Sequence, residues 1–230
     1  MRRILLIVIC LFPIIALGQE SKQNNQTDQP GDFFFTLSSG VSANLNASKE
    51  IATSKFSFEN KGPRYNISMG LGMMATKHWR PRLEFRYERL AYGQKWQDAS
   101  NSYSSFDYTT VKVNYMDINL HFDYLLFHSK SGWIVFLSPA IKTEYAVGAS
   151  YKTQMSDGSS THNNYSEIDD YYPKSIAGGS FSFIFKYDLN SMIGLTFSPE
   201  YTHFFRPFQL SNSSKYQRLN FNLGVEFHIH

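Results

Sequence analysis

Asp117, Asn119, His121 and Asp123 occur at every second position of one short stretch, so an extended strand sets all four side chains on one face. A carboxylate beside a histidine is the raw material of a general base. If the chain is an enzyme acting on lipid or peptide, Asp117, His121 and Asp123 are the residues expected to carry it. A plainer reading competes: polar groups lining a narrow barrel must pair with one another, and carboxylates facing arginines hold strands together. Other chemistry is sparse. Gly-x-Ser-x-Gly does not occur, so no serine sits in a nucleophile elbow. No glycine-rich phosphate loop is present, and Gly178-Gly179 reads as a tight turn or as room for a bulky neighbour. His228 and His230 share a strand face, and with His203 they reach a metal only if folding brings them together. Neither cysteine ligands nor a helical His-x-x-x-His pair accompanies them. The sequence therefore assigns no catalytic, cofactor-binding or metal site.

The elements that must position these residues follow from a two-residue period. In Tyr216 to His230, Leu219, Phe221, Leu223, Val225, Phe227 and Ile229 fall on one face, and Arg218, Asn220, Asn222, Gly224, Glu226 and His228 on the other. Seven further segments alternate in the same way: Phe33–Leu45, Tyr65–Ala75, Arg82–Tyr92, Thr110–Leu126, Trp133–Val147, Ile176–Tyr187 and Ile193–Phe204. In Thr110–Leu126 the apolar set changes phase, from Val111, Val113 and Tyr115 to Ile118, Leu120, Phe122 and Tyr124, which predicts a β-bulge near Met116. Pro139 predicts a second irregularity, because it cannot donate to the ladder.

The N-terminus supplies an address. Met1, Arg2 and Arg3 precede an apolar run from Ile4 to Leu17, and Ala16-Leu17-Gly18 offers small residues for cleavage before Gln19. We therefore read residues 1–18 as a signal peptide, 19–32 as a polar periplasmic leader and 33–230 as the barrel domain. The apolar run falls short of the roughly 20 residues a spanning helix needs. Cys10, the chain's one cysteine, leaves with the signal. So do two arginines, which takes the net charge from +3 to +1 and makes nucleic acid an unexpected partner.

Links after the second, fourth and sixth segments are short, whereas the others are long and rich in Ser, Asn, Asp and Lys. That alternation marks an up-and-down outer-membrane barrel with short periplasmic turns and long outer loops. Volume decides which face points inward. Eight strands enclose a space that side chains just fill, and five or six bulky apolar residues per strand would overfill it, which counts against a soluble barrel. The apolar set then meets lipid. The lumen receives Arg82, Glu84, Arg86, Glu88, Lys112, Asp117, His121, Asp123, Lys142, Glu144, Lys186, Glu200, Arg218 and Glu226. His78-Trp79 and Trp133 flank short turns and read as interfacial anchors, with Tyr87, Tyr145, Tyr187 and Tyr201 in the aromatic girdles.

Tyr115-Met116-Asp117-Ile118-Asn119-Leu120, leading to Phe122-Asp123-Tyr124, resembles the "Y-L-E-I-P-L-L-x-K-Y" strand of the PorT-like outer-membrane β-barrel proteins of Bacteroidota. Gly132-Trp133-Ile134-Val135 with Ser138-Pro139, Gly178-Gly179, and Leu223-Gly224-Val225-Glu226-Phe227 fit the same pattern in order. Asn119 replaces the usual proline and Asp123 a common lysine. The resemblance implies an eight-stranded antiparallel outer-membrane barrel without catalytic residues; a few such proteins assist secretion. The expected function is a non-enzymatic structural or partner-binding protein, with a narrow channel or a barrel enzyme as alternatives. Expected partners are outer-membrane lipid and lipopolysaccharide, with Arg89 at the outer rim either contacting a phosphate or simply snorkelling to water. A protein partner is expected at the leader or at outer loops carrying Tyr103, Phe106, Tyr108, Tyr151, Tyr165, Tyr171 and Tyr172.

Overall fold

The computed structural model describes residues 30–45, 56–59, 64–96, 106–155, 158–165, 175–207 and 215–229. The proposed signal peptide, all of the leader before Pro30, His230 and loop residues Tyr103, Tyr171 and Tyr172 lie outside them. Among the described residues ten antiparallel strands form: β1 Phe33–Asn44, β2 Phe56–Glu59, β3 Tyr65–Met73, β4 Trp79–Trp96, β5 Phe106–His128, β6 Trp133–Met155, β7 Ser160–Tyr165, β8 Ser175–Asp188, β9 Ile193–Pro207 and β10 Lys215–Ile229. Eight of them close into a barrel in the order β1, β3, β4, β5, β6, β8, β9, β10, and β10 returns to β1 from Phe33↔Ile229 to Asn44↔Arg218. β2 adds to the far end of β4 and β7 to the far end of β6.

The three short turns, 74–78, 129–132 and 189–192, share one end with the start of β1 and the end of β10. Each turn is closed by a polar side chain that accepts backbone N–H groups: Thr76 from His78 and Trp79, Ser129 from Ser131, and Asn190 from Met192 and Ile193. At this end Trp79 packs on Tyr124 at 4.8 Å and Trp133 on Tyr187 at 5.1 Å, forming one aromatic girdle.

Inside and outside are reversed relative to a soluble protein. Leu37, Val41, Ile67, Leu71, Phe85, Ile118, Leu120, Ile141, Phe183 and Leu223 are exposed, while Arg80, Arg86, Asp117, Lys142, Lys186, Arg218 and Glu226 are buried. Solvent water cannot produce that distribution; hydrocarbon can.

Two expectations about β5 are corrected. From Lys112 to Asp123 β5 keeps one phase: Val113 and Tyr115 are buried with Asp117, and Lys112, expected in the lumen, lies on the opposite face and is partly exposed. The apolar residues change sides because the surroundings change. Below Met116 they face lipid; above it the outward face carries Lys112 and Asn114, and the apolar groups turn in beside Leu90, Ile176 and Phe204. The irregularity sits across the ladder, where Asn114↔Gly148 is followed by Tyr115↔Ala146 and Val147 of β6 is left unpaired. At Pro139 the expected irregularity takes the form of a gap: β5–β6 pairing steps from His121↔Ala140 to Tyr124↔Leu137, with the same register on both sides.

Gly178-Gly179 lies within β8 rather than in a turn. A Cβ on Gly178 would run into the His203 carbonyl and the Phe204 ring, so of its two expected roles it makes room for the bulky neighbour.

Candidate functional site

The lumen is built in three layers. At the turn end Phe34, Met74, Ile134, Phe136 and Ile184 are buried together, and at the far end Leu90, Val113, Tyr115, Ile176 and Phe204 are. Between these apolar layers lies a continuous charged network. Its carboxylates are Glu84, Glu88, Asp117, Asp123, Glu144, Glu200 and Glu226, and its cations are Arg80, Arg82, Arg86, Lys142, Lys186 and Arg218, all buried. In hydrocarbon no water compensates an isolated charge, so each must find its counter-charge across the lumen.

At the turn end the Arg80 guanidinium donates to both oxygens of Glu226 at 2.9 Å and reaches Asp123 at 3.2 Å. It is sandwiched between the Phe34 ring at 4.6 Å and the Phe136 ring at 3.5 Å. Gly72 permits this, since a Cβ there would collide with the Phe34 ring. Lys186 reaches Glu226 at 2.9 Å and Asp188 at 3.0 Å, and its ammonium lies 2.7 Å from His228 Nε2. In the middle, Arg86 forms a bidentate pair with Glu200 at 2.8 and 2.7 Å and meets Glu84 at 2.8 Å. Glu84 also accepts from Arg82 at 2.8 Å and Asn119 at 3.0 Å. At the far end Arg218 donates to Glu88 at 2.5 Å and to Glu144 at 2.6 and 3.1 Å, below the Phe204 ring at 5.0 Å.

All seven carboxylates expected in the lumen are there. Arg80, hidden in sequence by the neighbouring Pro81, is the network's sixth cation at the turn end, and Lys112, from the other end of the barrel, is not part of it. The parity of Arg80 with Arg82 and Arg86 was the available signal.

Of the residues with general-base potential, His121 and Asp123 are brought together through Ser138, in an order that does not make a nucleophile, while Asp117 lies apart with Lys142, Glu88 and Glu144. Ser138 Oγ donates to Asp123 at 2.6 Å and lies 3.0 Å from His121 Nδ1. With the serine proton committed to Asp123, His121 must donate to the serine rather than accept from it. A catalytic triad places histidine between the other two; here serine occupies the middle, and Arg80 and Arg82 hold the carboxylate. His121, Ser138 and Asp123 are all buried in the charged layer.

Glu88, Asp117 and Glu144 place carboxylate oxygens within 4.8 Å of one another, a spacing that a cation could bridge. The positive charge is already supplied by Arg218 and by the Lys142 ammonium, which lies 3.3 Å from Asp117, 3.4 Å from Glu144, 3.5 Å from Glu200 and 3.9 Å from Glu88. His203 and His228 do not converge. His203 pairs with Gln217 near the start of β10, and His228 lies near its other end.

Asp117 is the weakest-held member of the network, because neither of its oxygens accepts a hydrogen bond and its one ammonium is shared among four carboxylates. We expect Asp117→Asn to change stability by less than about 1 kcal/mol, whereas Glu144→Gln, which breaks the bidentate contact with Arg218, should cost several times that. Urea midpoints of the two variants in lipid vesicles check the ranking; equal losses would refute it.

A closed eight-stranded barrel with an apolar exterior and an ion-paired lumen is an outer-membrane β-barrel protein. No family model matches the chain, and no curated relative does. Among solved structures it is similar to the outer membrane protein OprG from Pseudomonas aeruginosa, at 10% identity and a TM-score of 0.48 over 89% of this chain and 99% of that one. It is similar also to the attachment invasion locus protein Ail of Yersinia pestis (8%, TM-score 0.46, 87% and 100%) and to outer membrane protein W of E. coli (14%, TM-score 0.46, 87% and 99%). The membrane assignment rests on this chain's own reversal of inside and outside.

Proposed function

We propose that the protein is a non-enzymatic outer-membrane barrel with a structural or partner-binding role, of the kind that the PorT-like resemblance implies in secretion or envelope assembly. The observation that carries this reading is the filled lumen: a charged layer with every carboxylate facing a cation, capped at both ends by buried apolar side chains. A barrel filled in this way acts through what it displays. Above the barrel, β4, β5 and β6 run on past the last lipid-facing residues and acquire β2 and β7, which leaves a five-stranded sheet at the outer end.

The purified barrel in planar bilayers should pass no steady current. Sustained, salt-dependent conductance steps would revive the narrow-channel reading. Crosslinking in intact cells through a photoreactive residue at exposed Lys152 should trap a discrete protein adduct; recovery of lipid adducts alone would leave the structural role. If His121→Ala abolished a measured activity while the barrel stayed folded, the enzyme reading would prevail.

A further inference from the structure

One row of residues across the outside of the barrel runs Tyr65 (β3), Arg89 (β4), Asn114 (β5), Gly148 (β6), each paired in register with the next. It lies at the level where β5 changes sides, with exposed Met116 below it and polar Asn114 and Lys112 from it upward. That change marks the boundary between hydrocarbon and headgroups.

Arg89 is half-buried in this row and makes no ion pair or hydrogen bond through its side chain with the described residues. Every cation of the lumenal network, by contrast, has a carboxylate within 3.5 Å. Asn114 Oδ1 is turned in and buried without a donor, while Asn114 Nδ2 faces the space over Gly148. A Cβ on Gly148 would meet nothing within 4 Å except that nitrogen, at 3.8 Å, so an open notch lies beside the amide.

We infer that this row is a binding site for the phosphate of an outer-leaflet glycolipid. The Arg89 guanidinium and the Asn114 amide are adjacent donors that meet no acceptor among the described residues, a pairing that suits a phosphate's oxygens. Acyl chains of the same molecule lie along Tyr87, Met116 and Ile118 beneath. A free anion could use the donors but would gain nothing from that apolar strip, so the site selects a phosphate attached to a lipid.

The test uses the full barrel in detergent micelles, with native mass spectrometry scoring bound diphosphorylated lipid A, enzymatically dephosphorylated lipid A, and inorganic phosphate as competitor. Retention of the phosphorylated form should fall about tenfold in Arg89→Ala, the loss of one charge-assisted contact, and partly recover in Arg89→Lys. Asn114→Leu should weaken it to a smaller degree. Dephosphorylated lipid A should bind no better to wild type than to Arg89→Ala, and millimolar inorganic phosphate should not displace the glycolipid. Each variant is confirmed as folded by its compact migration on unheated gels. Equal retention by wild type and Arg89→Ala, equal binding of dephosphorylated lipid A to wild type, or displacement by inorganic phosphate would overturn the inference.

Discussion

Arg218→Met should destabilise the barrel by about 3–5 kcal/mol, the cost of stranding buried charges once their partner is gone. Arg218 reaches Glu88 on β4 and Glu144 on β6 at once, so its removal leaves two carboxylates with the shared Lys142 ammonium as their nearest remaining cation. Glu88 retains the Ser42 hydroxyl as a donor, which softens the loss without replacing the charge. Urea titration in vesicles, followed by tryptophan emission, reads the effect. Adding Glu88→Leu and Glu144→Leu should restore most of the stability, because an apolar trio needs no counter-charge. A loss below about 1 kcal/mol in the single variant would mean that the network does not hold the barrel together.

Leu120→Arg should cost about 2–4 kcal/mol, and the same change at Val41 about 0–1 kcal/mol. Both side chains are exposed on the barrel's exterior, at 40% and 57%, so a soluble protein would tolerate both equally. In a membrane they differ by depth. Leu120 sits between the girdle at Tyr124 and the boundary near Asn114, whereas Val41 pairs with Tyr65, the neighbour of Arg89 in the row at that boundary. Snorkelling to the headgroups is available from the second position and not from the first. Equal penalties would contradict the depth assigned to the row.

The eight barrel strands and the lumenal carboxylates were legible because alternation is a property of one strand and its two surroundings. Where a single surrounding persisted, as along Glu84, Arg86 and Glu88, parity placed each residue correctly. It misled at Val113 and Tyr115, where the apolar groups keep apolar company by moving from lipid to lumen while the backbone keeps its phase. A bulge belongs to a pair of strands, so inspecting β5 alone could not reveal that Val147 of β6 is the extra residue. β2 and β7 were unreadable for a related reason: beyond the membrane a short strand such as Ser160–Tyr165 needs no apolar face. The Ser138 contact that fixes the order of the serine, histidine and aspartate cluster depends on cross-strand geometry, which spacing along the chain does not carry.

The contribution of β10 to the lumen bears on how the protein is assembled. Arg218, Asn220, Glu226 and His228 all come from the final strand and meet partners on β4, β6, β8 and β9. Until that strand docks, Glu88, Glu144, Arg80 and Lys186 are incompletely matched, and a slip of two residues at the seam would preserve every inward and outward face yet misalign each ion pair. Alternation alone cannot proofread such an error. The charges can, so the last strand acts as a key whose teeth are cut two residues apart, and only one register turns the lock.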